Sequence, residues 1–161
     1  MLSINKFLLL ILLAILGWWV TLSKAEGLPV IRDLTIEAKA SQKLQAPILI
    51  LFMSKYCSYC EQALQDYLLP MHHDTAYKGK VILRQVETGS SERIIDFKGK
   101  VTTQRDLAGR YRALTVPTII LFDSKGEELN RIVGLLTADY YLAHLDGAID
   151  EAQARIKATA K

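Results

Sequence analysis

The chain of 161 residues has two cysteines, and both stand in one tetrapeptide, Cys57-Ser58-Tyr59-Cys60. Two residues between cysteines is the spacing of a redox-active dithiol, and it is also half of a common zinc site. A zinc site of that kind needs four ligands, and the chain has no second Cys-x-x-Cys. Cys57, Cys60 and His73 match three quarters of a zinc finger, but no histidine follows at three to five residues. His72 and His73 are adjacent, so on a helix their side chains diverge by roughly 100°. His144 is far along the chain. No metal is expected, and thiol–disulfide exchange is the leading chemistry. A purely structural staple is the rival reading, but so short a gap closes a loop that removes little unfolded-state entropy.

A dithiol acts only where the fold presents it. Residues 48–52 are continuously apolar, as expected of a strand covered on both faces. A helix is expected to begin at or near Cys57, since Cys60, Ala63, Leu64, Tyr67 and Leu68 recur at helical spacing. Pro70 is expected to kink or end it. Cys57 would then meet the unpaired N–H groups and positive dipole end of that helix, which favours thiolate. Lys55 is a second candidate for the same effect. Before the first strand, Leu34, Ala38 and Ser41 share one face of a modest helix, which Pro47 stops.

Beyond the dithiol, residues 81–86 read as a strand and residues 88–100 as a long polar loop, a place for partner recognition. Thr103-Gln104-Arg105-Asp106 reads as a helix start, with Leu107, Tyr111 and Leu114 as the apolar stripe. Residues 117–122 make a third strand. Asp123-Ser124-Lys125-Gly126 suits a hairpin, so residues 128–134 should return antiparallel. A last helix follows Thr137, with Tyr141, Leu145, Ala148, Ile149, Ala152 and Ile156 on its core face. The order α-β-α-β-α-β-β-α implies one α/β domain, a single mixed sheet with helices on both faces.

The first 25 residues differ in kind from the rest. Residues 1–6 carry a positive charge, residues 7–20 are uninterruptedly apolar, and Ser23-Lys24-Ala25 offers small residues where a signal peptidase reads. That is the layout of a secretory signal peptide, with cleavage expected before Glu26 and the domain in residues 26–161. An uncleaved membrane anchor is the alternative, with Trp18-Trp19 as an interfacial pair. Either way the domain is expected to be exported, to the periplasm in a bacterium, and anchored at the inner membrane if the leader is kept. Half the residues are hydrophobic and 23% charged, a normal globular mixture. From Glu26 onward, 18 Lys and Arg face 17 Asp and Glu, which gives no electrostatic footprint for nucleic acid. Phosphate-cradling Gly-rich loops are absent, and Glu61 after Cys60 rules out a haem-attachment signature. A thiol peroxidase is disfavoured by the dithiol spacing.

A strand feeding Cys57-x-x-Cys60 into a helix, with Val116-Pro117-Thr118 before a later strand, resembles the thioredoxin family. The resemblance extends over residues 39–145, and Gly126 and Gly134 agree with it. More narrowly, the chain looks like the exported thioredoxin-like oxidoreductases of bacterial envelopes. The resemblance implies a thioredoxin-like fold and a cis peptide bond before Pro117. It also implies a substrate groove in which Val116 pairs with an extended partner, beside Tyr56, Ser58 and Tyr59. No cofactor is implied. The presumed partners are an exported protein disulfide and a membrane electron donor that keeps the dithiol reduced, with the chain a monomer. Two positions depart from the family pattern. Leu51 stands where many members have an acid, and Tyr56 where tryptophan is usual. Reductase of envelope disulfides is the leading expectation. Oxidase or isomerase by the same chemistry, and a non-catalytic peptide-binding or chaperone module, are the alternatives.

Overall fold

The computed structural model describes residues 27–135 and 137–159. The leader, its two tryptophans and the cleavage position before Glu26 lie outside these residues. Among the described residues, no helix is long and apolar enough to cross a membrane.

The architecture follows from β1 (Ile48–Met53), an apolar strand with its first five residues fully buried. It pairs with β2 (Ile82–Glu87) in parallel and with β5 (Thr118–Phe122) antiparallel. β6 (Glu128–Val133) closes the sheet against β5, in the order β2-β1-β5-β6. Period-two alternation divides the side chains of these strands between two cores. Leu49, Leu51, Ile119 and Leu121 meet the helices that follow Cys57 and the long C-terminal helix. Ile48, Ile50, Phe52, Ile120 and Phe122 meet α1 (Leu34–Leu44) and α4 (Gln104–Arg110) on the opposite face. The expected mixed sheet with helices on both faces is therefore present.

The helix after Cys57 runs through Pro70 instead of stopping there. It begins as α2 (Ser58–Ala63), widens into a π-helical turn (Leu64–Leu68) and continues as α3 (Leu69–His73). The Leu69 N–H reaches back to the Leu64 carbonyl. Proline has no N–H to donate and its ring crowds the preceding turn. A wider turn just before Pro70 provides room for that ring. The C-terminal helix α5 (Ala138–Thr159) then buries Tyr141, Leu145, Ala148, Ile149 and Ala152. The Tyr77 hydroxyl donates to Asp146 at 2.7 Å, tying the segment after α3 to α5. Arg84 on β2 grips Glu37 on α1 through two hydrogen bonds of 2.7 and 2.8 Å.

Two expectations need correction. Residues 88–100 are not an unstructured loop, because β3 (Arg93–Ile95) and β4 (Val101–Thr103) form a separate two-stranded antiparallel sheet. Of their hairpin, Ile94 is buried in the core and Phe97 packs half-buried against it. The hairpin's order comes from Asp96, whose 2%-exposed carboxylate accepts the Lys98 and Lys100 N–H groups at 2.9 Å. Leu114 is also not on a helical stripe. The helix ends at Arg110, Tyr111 caps it, and Leu114 is 65% exposed.

Asp96 also takes the Arg110 guanidinium at 2.7 Å. Burial pushes its carboxyl up, but the Lys100 amide, Arg110 and the Lys98 amide outweigh that and hold it below the usual carboxylate range. A depressed folded-state pKa gives stability that is present above the unfolded value, about 3.9, and lost as pH falls through the folded value. Asp96→Asn should therefore cost roughly 2 kcal/mol near neutral pH, the scale of hydrogen bonds to a buried charge. The cost should shrink steadily below about pH 4. Urea unfolding of both proteins from pH 7 to pH 2.5 checks this, and a pH-independent difference would contradict it.

Candidate active site

The site is built at the C-terminal end of β1. The chain leaves Met53, turns through Ser54, Lys55 and Tyr56, and enters α2 with Cys57 as its N-cap. Cys57 has extended backbone angles, φ −103° and ψ 105°, as an N-cap residue requires. Its Sγ accepts the Cys60 N–H at 3.1 Å, and its carbonyl accepts from Cys60 and Glu61. A sulfur in that position accepts a backbone amide and meets the positive end of the helix, both of which stabilise a thiolate.

Cys57 and Cys60 are joined as a disulfide, with Cα atoms 5.2 Å apart. The two sulfurs have different surroundings. Cys57 is half-buried, whereas Cys60 is fully buried one turn deeper. Ser58 is exposed, as is Tyr59 at 64%. Tyr56 is 90% exposed, and the Lys55 ammonium lies over its ring at 5.9 Å from the centroid. The structure thus sets Lys55 against Tyr56, within the range of a surface cation–π contact.

Strand pairing brings the second sequence motif to the same end of the sheet. Phe52 is opposite Thr118, so the antiparallel β5 starts where β1 finishes. Pro117, immediately before Thr118, is buried, Val116 is half-buried, and their peptide bond is cis. The Pro117 carbonyl accepts the Gly134 N–H at 2.8 Å, anchoring the segment to the end of β6. Among the described residues, neither the N–H nor the carbonyl of Val116 has a hydrogen-bond partner. Leu51 fills its position inside β1 without exposure, between Gln85 and Ile119. No charge reaches the core through that side chain.

Sequence reasoning missed the residues that brace this end. The Met53 carbonyl accepts both the N–H and the hydroxyl of Thr88, at 2.9 and 3.2 Å. Buried Gln104 accepts the Glu87 N–H at 2.7 Å and donates to Glu92 at 2.9 Å. A glutamine in the first turn of a helix reads as solvated, and nothing local reveals that β2 ends against it. Among the described residues, no group of three or more His, Cys, Asp or Glu side chains is placed to hold a metal ion.

With this geometry in hand, comparison with known proteins is decisive for the family. The sequence pattern of the thioredoxin-like domain matches residues 34–149, most of the chain. The chain belongs to the thioredoxin-like family. Its dithiol sits at the head of a helix in a thioredoxin-like fold, and solved structures share that fold at low identity. A thioredoxin-fold protein from Helicobacter pylori is 22% identical with a TM-score of 0.51, covering 71% of this chain and 81% of its own. Oxidised mitochondrial thioredoxin 3 of Saccharomyces cerevisiae is 18% identical with a TM-score of 0.52, covering 77% and 94%. Thioredoxin NaTrxh of Nicotiana alata is 18% identical with a TM-score of 0.51, covering 81% and 97%. Comparison with curated protein sequences finds no match.

The asymmetry of the two sulfurs in this thioredoxin-like domain has a direct readout. After reduction, iodoacetamide at neutral pH should label Cys57 at least about tenfold faster than Cys60, because the thiolate must be both formed and reached. Peptide mass mapping at short times distinguishes the sites. Equal labelling would show that burial of Cys60 does not persist in the dithiol form.

Proposed function

We propose that this protein is an exported thiol–disulfide oxidoreductase that reduces disulfides in envelope proteins. The observation that carries the reading is Cys57 at a helix N-cap, its sulfur on the Cys60 amide, beside a fully buried Cys60. In the reduced form the Cys57 thiolate attacks one sulfur of the partner's disulfide. A mixed disulfide forms, and the partner's other sulfur leaves as a thiolate that takes a proton. Cys60 then loses its proton, attacks the Cys57 sulfur, and releases the partner's second thiol. Two electrons pass to the partner, and the Cys57–Cys60 disulfide results. A membrane dithiol donor returns the electrons.

The exposed rings of Tyr56 and Tyr59, together with Ser58, give the partner a surface beside the reacting sulfur. Val116 supports recognition through its main chain, since an extended partner strand can use both of its unpaired backbone groups. Pro117, buried next to Val116, shapes the groove. Leu51 withholds a buried base from Cys60, so resolution of the mixed disulfide relies on a proton acceptor supplied otherwise. Export rests on the leader in residues 1–25.

Equilibration with defined thiol–disulfide buffers tests the direction of electron flow. A reductase should have a potential near or below about −250 mV, whereas a value of about −120 to −180 mV would make it an oxidase or isomerase. Cys57→Ser should abolish turnover of a disulfide substrate, and retention of activity by that variant would favour a binding module. The leader has its own optical test, because Trp18 and Trp19 are the only tryptophans. Protein isolated from the cell envelope should show no tryptophan emission if cleavage occurs before Glu26. Emission from the purified mature species would mean the leader is retained.

A further inference from the structure

The tetrapeptide pattern Asp-x-Lys-Gly occurs twice, as Asp96-Phe97-Lys98-Gly99 and Asp123-Ser124-Lys125-Gly126. Both copies form turns of the same design. In the first, the Asp96 carboxylate accepts the N–H groups of Lys98 and Lys100. In the second, the Asp123 carboxylate accepts those of Lys125 and Glu127, each at 2.8 Å. The first turn joins β3 to β4 and the second joins β5 to β6. They are 27 residues apart in sequence, yet they face each other. The Phe97 ring lies so close to Gly126 that a Cβ there would come within 2.6 Å of it. Gly126 also has φ +82°, which suits glycine. The Tyr111 hydroxyl donates to the Gly126 carbonyl at 3.1 Å and locks the pair to the end of α4.

Between the turns is a cleft of about 400 Å³, within the range of small-molecule sites. Lys98, Lys100 and Lys125 line it, and Phe97 and Tyr111 form apolar walls. The acids of the turns are spent on backbone amides, and Asp96 also neutralises Arg110. Among the described residues, none of the three lysines has a carboxylate within 4 Å. Glu127 is the one further acid lining the cleft, so the charge available to a ligand is positive. The arrangement is also remote from the dithiol. Phe122, which leads into the second turn, is opposite Ile48 at the start of β1, and Cys57 follows its far end.

We propose that this cleft is a binding site for a small phosphate-bearing polyanion, separate from the Cys57–Cys60 site. Ammonium groups are compact point charges that suit a tetrahedral phosphate, and a guanidinium can add hydrogen bonds to its oxygens. Arg110 also lines the cleft, with Nη1 on Asp96 and its side chain 48% exposed, so four cations gathered at one cleft suit a multiply charged anion. The two Asp-held turns order the lysine backbones before any ligand arrives, which lowers the entropy cost of binding. The same chemistry would accept either a free polyphosphate or the headgroup of an anionic phospholipid.

The test is calorimetric titration of the full-length protein at low salt with two probes. One is inorganic pyrophosphate and the other is a short-chain phosphatidylglycerol below its micelle concentration. At least one should bind saturably, and added salt should weaken it. The double variant Lys98→Gln, Lys125→Gln should bind at least about tenfold more weakly. Glu127→Gln should bind several-fold more tightly. Lys55→Gln with Lys80→Gln makes the same charge change beside the dithiol and against Asp150 of α5, and should leave affinity unchanged. Stronger binding of pyrophosphate assigns a free phosphate ligand, and stronger binding of the phospholipid assigns a headgroup. If neither probe binds, or if the cleft variant and the Lys55, Lys80 variant lose affinity equally, the site does not exist.

Discussion

β1 has a hydrogen-bonded neighbour on each side and a hydrophobic core on each face. Five successive residues with no exposure leave the strand no alternative register. Slipping by one position would exchange the side chains between two differently shaped cores. Each of those side chains gains about 1.5–3 kcal/mol from burial, set against the entropy of ordering the chain. Cys57 is therefore held by the most constrained segment of the molecule, only four residues beyond the end of β1. The Cys57 sulfur thereby keeps a fixed place at the N-cap of α2.

The same strand explains why two distant motifs share one end of the sheet. β2 runs parallel to β1 and β5 runs antiparallel. The end of β2, the start of β5 and the end of β6 therefore all gather where β1 stops. Thr88 closes on Met53 and Gly134 closes on Pro117. The opposite end of β5 receives the second Asp-x-Lys-Gly turn. Apolar packing thus supplies the frame, and polar side chains are concentrated at its two ends. Asp96 and Gln104 are buried there, with the hydrogen bonds that a buried polar group needs.

Much of this was legible one residue at a time. The continuous apolar run at residues 48–52 announced a strand covered on both faces. The periodic faces of α1 and α5 gave their buried residues, Leu34, Ala38 and Ser41 in one and Tyr141, Leu145 and Ile149 in the other. Failures came where the stabilising partner is remote or the signal weak. β3 and β4 are three residues each, among charged residues, and depend on one buried carboxylate. Leu114 continues the spacing of Leu107 and Tyr111, yet the helix has already ended at Arg110. Pro70 reads as a kink or a stop, and of the two the stop does not occur, because a π turn ahead of it makes room for the ring.

The sequence by itself determined the Cys-x-x-Cys pair, the helix that begins at it and the order of the elements other than the β3–β4 hairpin. Those depend on neighbours within a few residues: cysteine spacing, apolar periodicity and the turn chemistry of Asp and Gly. Tertiary structure alone decided what stands opposite what. It placed Val116 beside the end of β1, folded residues 93–103 into a braced hairpin, and set the two Asp-x-Lys-Gly turns face to face. Strand pairing and core packing join residues far apart in the chain, and no local pattern encodes which of them will meet.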